Sequence, residues 1–71
     1  MDNLDRAQPK TDARVRLTGK DGNAFNILAL TRQAMRKAGV DQVVIDAYVN
    51  EATSGDYDML LTVTMQYVHV S

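Results

Sequence analysis

Two glycines and three capping residues cut most of this chain into three pieces of helical length. Asn23 is a good N-cap, because its short side chain can accept a free backbone N–H of the first turn. From Ala24 onward the apolar residues recur at helical spacing. Ala24, Ile27, Leu28, Thr31, Ala34, Met35 and Ala38 share one face, and Asn26, Gln33 and Lys37 lie opposite. Gly39 ends this helix as a residue free to turn left-handed, with Val40 supplying the hydrophobic contact that accompanies such an end. Asp41 caps a second helix whose apolar face is Val44, Ile45, Tyr48, Val49 and Ala52. Gly55 is the next stop. Asp56 caps a third helix, which runs from Tyr57 to about Val68, and Asp58 in its first turn suits the positive end of the helix dipole.

The part before these helices reads differently. Residues 1–12 are polar, contain Pro9 and show no periodicity, so they read as a disordered tail. Ala13 to Thr18 then alternates, with Val15 and Leu17 on one side and Arg14, Arg16 and Thr18 on the other, as in a short half-buried strand. Gly19-Lys20-Asp21-Gly22 is a turn. A lone strand cannot satisfy its own backbone. The β-branched run Tyr67-Val68-His69-Val70 either completes the third helix or leaves it to pair with Arg14–Thr18, within the chain or across a dimer. The expected fold is mainly α: a short N-terminal β-strand followed by a compact three-helix domain over residues 13–71. Its expected core is Val15, Leu17, Ala24, Ile27, Leu28, Met35, Val44, Ile45, Tyr48, Val49, Tyr57, Leu60, Leu61 and Val68.

A chain of 71 residues makes one domain at most. A domain of about 60 residues buries only roughly 60% of the surface that its unfolded chain exposes, so small domains lean on disulfides, metals or association. With no cysteine there is no disulfide and no thiolate zinc site, and one histidine is poor material for a metal centre. Self-association is the supplement that remains. No apolar run approaches the roughly 20 residues that span a bilayer. The polar start MDNLDRAQPK is no secretory signal, so the expected location is cytoplasmic, with no membrane partner.

Little in the sequence carries catalytic or cofactor chemistry. His69 has no carboxylate at helical spacing to orient it. Glu51, Asp56 and Asp58 lack the ligand spacing of a calcium loop, and capping accounts for the two aspartates. Gly19-Lys20-Asp21-Gly22-Asn23 opens a helix after a strand but matches neither GxxxxGK[ST] nor GxGxxG. The expectation is a protein that is not an enzyme and takes no cofactor and no metal.

Two surfaces stand out instead. The third helix has more apolar residues than one face needs. Met59, Val63, Tyr67 and Val70 form a candidate apolar contact surface, and the polar strip is only Asp58, Thr62, Gln66 and His69. The charge is also split. All eight basic residues lie within residues 1–37, which carry a net +4, and residues 38–71 carry −5. Arg14, Arg16, Lys20, Arg32, Arg36 and Lys37 form a candidate basic surface, with Phe25 on the same helix face as Arg32 and Arg36. Helices two and three resemble a helix-turn-helix in outline, but the third helix has no Lys or Arg for phosphates or base edges. The expected function is a protein-interaction domain that self-associates as a homodimer. The alternative is a nucleic-acid-associated accessory protein that binds through the basic face of the first helix.

The runs GKDGNAFNILALTRQAMRKAGV and EATSGDYDMLLTVTMQYV carry a resemblance. They are similar to a family of small bacterial and phage-borne proteins that read strand, GxDGNAF, a basic helix ending in RKAGV, then EATSGDYD and an apolar helix ending in Tyr-Val or Trp-Val. The likeness covers about residues 15–70. It implies a shared fold and a bacterial or mobile-element setting. It implies no activity, since no function, ligand or catalytic residue is assigned to that family.

Overall fold

A computed structural model of the chain describes residues 8–19 and 22–71. Its elements in order are β1 (Arg14–Val15), α1 (Ala24–Lys37), α2 (Gln42–Ala52), α3 (Tyr57–Tyr67) and β2 (His69–Val70). Three helices and a short strand pair make a mainly helical globule, as the punctuation of the sequence predicts.

The helix ends show why. Asn23 accepts the backbone N–H of Asn26 through its side-chain oxygen at 2.9 Å, so α1 starts where the cap sits. At the other end Gly39 takes φ 79°. Its N–H donates to the Arg36 carbonyl at 3.0 Å, and the Val40 N–H donates to the Met35 carbonyl at 2.9 Å. This is a Schellman closure, and Val40 packs against the core beneath it. Asp56 caps α3 by accepting the Met59 N–H at 3.0 Å.

Two of the expected punctuation marks work by other means. The Asp41 side chain makes no capping hydrogen bond to α2. Only its backbone carbonyl engages, accepting from Val44 and Ile45. Gly55 does not take a left-handed conformation. Instead α2 is closed by hydroxyls: Thr53 donates to the Val49 carbonyl and Ser54 to the Glu51 carbonyl, each at 2.7 Å. A Cβ at position 55 would lie 3.1 Å from the Met59 Cβ, tighter than an ordinary contact, so a larger residue there would press on the start of α3.

After Tyr67 the chain becomes extended, with Val68 at φ −137°, ψ 161°. Residues 69–70 pair with β1 in parallel, Arg14 opposite His69 and Val15 opposite Val70. The lone strand therefore finds its partner within the chain. His69 N–H donates to the Ala13 carbonyl at 2.9 Å, Ser71 N–H to Val15 at 3.0 Å, and Leu17 N–H to Ser71 at 2.8 Å. The pairing reaches further back than the alternation of the sequence shows. Lys10 and Thr11 donate their backbone N–H groups to the carbonyls of Gln66 and Tyr67. Of the expected tail, residues 10–12 thus lie along the end of α3, and residues 1–7 fall outside the described residues.

The core sits between α2, α3 and the inner sides of α1 and the strand pair. Val15, Ile27, Met35, Ile45, Tyr48, Leu60 and Val68 are buried, joined by Ala13, Ala52, Val63 and Tyr67. Leu17, Ala24, Leu28, Val44, Val49 and Leu61 pack half-buried around them. Fully burying one such aliphatic side chain is worth about 1.5–3 kcal/mol. Tyr57 is the exception among the expected core residues. It is 45% exposed, and its hydroxyl reaches back to donate to the Gly22 carbonyl. This contact ties the turn before α1 to the start of α3.

Candidate interaction surfaces

The candidate apolar surface divides. Val63 and Tyr67 are 4% and 3% exposed, so both are core residues and offer nothing to a partner. The expected inward face of α3 is Tyr57, Leu60, Leu61, Thr64 and Val68. The buried residues of the helix are Leu60, Val63, Thr64 and Tyr67, a roll of about 60° at roughly 100° per residue. Polar atoms on α2 set this roll. The Tyr67 hydroxyl donates to Glu51 Oε2 at 2.9 Å. The buried Thr64 hydroxyl donates to the Leu60 carbonyl at 2.8 Å, so the Tyr48 hydroxyl donates to Thr64 Oγ1 at 2.7 Å.

Met59 and Val70 do reach the surface, but on different flanks. Met59 covers Gly55 at the start of α3. Val70 lies at the far end, beside Leu17, Leu61 and Met65, around an apolar hollow of about 140 Å³. Met65 is the most exposed of this group, at 58%. The coherent apolar patch is therefore Leu17, Leu61, Met65 and Val70. Of these residues the sequence pattern assigns only Val70 to a contact surface, because Leu17 and Leu61 count toward the core and Met65 falls on neither stripe.

Tyr67 is held from several sides. Its ring meets the Tyr48 ring edge-on at 5.4 Å and 64°. Lys10 Nζ lies 4.6 Å above it. Its carbonyl accepts the Thr11 hydroxyl at 2.7 Å. Burial, then the hydrogen bond to Glu51 and the charge of that carboxylate, push the phenol above its ordinary value. The folded chain thus holds this proton more tightly than the unfolded chain does. The stability it contributes is complete below about pH 10, the value of a free phenol, and is lost as pH rises through the higher folded value. The melting temperature of the wild type should fall more steeply above about pH 10 than that of Tyr67→Phe. Parallel curves for the two proteins would contradict this.

The candidate basic surface divides as well. Arg14, Arg16 and Lys37 line a groove of about 500 Å³ between β1 and α1, with Leu30, Gln33 and Ala34 on its helical wall and Asp12 at one end. Arg32 and Arg36 face away from that groove, on the side of α1 that carries Phe25, which is 83% exposed. Lys20 lies outside the described residues. Among the described residues, none of these five cations is engaged in an ion pair.

The residues weighed for chemistry are dispersed. His69 sits half-buried on β2 across from Arg14. Glu51 holds the Tyr67 hydroxyl and Asp56 caps α3. Among the described residues no three His, Cys, Asp or Glu side chains gather to hold a metal ion. Among them, too, no helix is long and apolar enough to cross a membrane. Among the described residues the surface offers contact: the apolar hollow beside Met65, a second one of about 310 Å³ bordered by Phe25, Leu28, Tyr57 and Leu60, a basic groove and a separate basic helix face. No protein-family model, curated protein or solved structure matches the chain.

Proposed function

We propose that this chain is a small, non-enzymatic protein-interaction domain that pairs with a second copy of itself through the patch of Leu17, Leu61, Met65 and Val70. The observation that supports this reading is the apolar hollow among those residues, open at the surface beside Met65. A methionine rim over an apolar hollow is adaptable and binds poorly to water. Leu61 and Met65 sit on a helix with no Lys or Arg, so a second copy can meet them without opposing cations. A short chain without cysteine also gains most from burying such a face. Work in the bacterial cytoplasm, or from a mobile element, belongs to the same proposal.

Binding of nucleic acid is the weaker reading. It needs a continuous cationic surface, and the candidate cations divide between the β1–α1 groove and the opposite side of α1.

Light scattering behind size exclusion tests the proposal. A mass near twice 7.9 kDa is expected for the wild type. Met65→Glu with Val70→Glu should give a folded monomer, because both side chains are exposed. A monomer at every concentration for the wild type would overturn self-association, as would a dimer that survives both substitutions.

A further inference from the structure

The groove between β1 and α1 has a second property besides charge. The segment around β1 bonds its partner through alternate residues: the carbonyls of Ala13 and Val15 and the N–H of Leu17 all face β2 and Ser71. In a parallel pair the residues between them turn their backbone groups to the other edge. The N–H and C=O of Arg14 and Arg16 therefore face away from β2. The groove's lining includes Arg14, Val15 and Arg16 consecutively, so it runs along this edge and not over one face of the strand. Among the described residues this edge of β1 bonds no other backbone, and the groove combines it with two arginines, a lysine and a helical wall bearing Leu30 and Ala34.

We infer that this groove takes an extended acidic peptide of another protein, added as a third strand on the free edge of β1. Backbone hydrogen bonds to Arg14 and Arg16 supply the affinity common to any strand, and the side chains choose among strands. Arg14 and Arg16 are exposed and point to the solvent side of the sheet, while Val15 points to the core. An added strand has the same alternation. Its carboxylates at every second position meet the two arginines, and the residues between them turn toward Leu30 and Ala34. A β-branched apolar residue fits there. Lys37 adds a third cation from the helical wall. Asp12 lines the same groove and opposes a carboxylate at that end, which limits the acidic stretch to the Arg14–Arg16 side. This inference concerns a different face from the apolar patch and does not depend on self-association.

Fluorescence anisotropy with a labelled Glu-Val-Glu-Val-Glu peptide tests it, using the full chain at low salt. The peptide should bind, and Arg14→Gln with Arg16→Gln should weaken it by about ten-fold or more. Arg32→Gln with Arg36→Gln, on the other face of α1, should leave affinity unchanged. Asp12→Asn should strengthen binding. The same peptide methylated on its backbone nitrogens keeps its charge but cannot add as a strand, and it should bind at least about ten-fold more weakly. No binding by the unmethylated peptide would overturn the inference. So would equal binding of the methylated peptide, or equal loss from the Arg32 and Arg36 changes. Tighter binding of a ten-nucleotide oligothymidylate than of the peptide would make the groove a nucleic-acid site and overturn it too.

Discussion

Val63→Asp is expected to leave the chain unfolded at 25 °C and not to yield a folded monomer. Val63 is 4% exposed and faces inward with Leu60, Thr64 and Tyr67. A carboxylate there is taken out of water among apolar neighbours, at a cost of several kcal/mol even after its pKa adjusts. A domain of this length has a total stability of about 4–10 kcal/mol. One buried charge removes most of it. Far-UV circular dichroism with a thermal melt reads the outcome. A cooperative melt within a few degrees of the wild type would show that Val63 is on the surface. Val43→Asp, on the exposed side of α2, is the matched control and should melt like the wild type because Val43 is 76% exposed.

Tyr67→Ala should be the second severe change. Truncating a buried aromatic ring costs about 3–5 kcal/mol through lost transfer energy and the cavity left behind. Here the loss extends across elements, since the ring carries the edge contact with Tyr48 and lies under Lys10. Tyr67→Phe keeps both ring contacts and removes only the hydroxyl bonded to Glu51. It should cost about 1 kcal/mol. Urea unfolding of the pair separates ring from hydroxyl. Equal losses in the two variants would place the stabilisation in the Glu51 hydrogen bond alone.

Local signals in this sequence were legible and global ones less so. Asn23, Gly39 and Asp56 act within one turn of themselves, so their roles can be read without a fold. The roll of α3 cannot be read that way. Tyr57, Leu61, Val63 and Tyr67 are all apolar enough to face inward, and periodicity alone does not choose between two overlapping faces. In the fold, Glu51 and Tyr48 on α2 hydrogen-bond Tyr67 and Thr64 opposite them. The apolar surface shifts with that roll, since Val63 and Tyr67 are buried and Met65 is exposed. The strand pairing was legible as one of two endings. It became definite only where Ala13 and His69 meet. The inward place of Thr31 on α1 follows from spacing, but spacing does not show that its buried hydroxyl has no hydrogen-bond partner among the described residues.

The parallel pairing of residues 10–17 with residues 66–71 has a kinetic consequence. Thr11 and Tyr67 are 56 positions apart. Bringing such distant segments together costs of order 3–4 kcal/mol in loop-closure entropy before any contact repays it. The α2–α3 hairpin forms between neighbours in sequence and needs no such closure. The helical part can therefore assemble early, with Tyr67 and Val68 still uncovered, while the strands are apart. The folding rate of this protein is then set less by its three helices than by how often two far-separated segments meet in the right register.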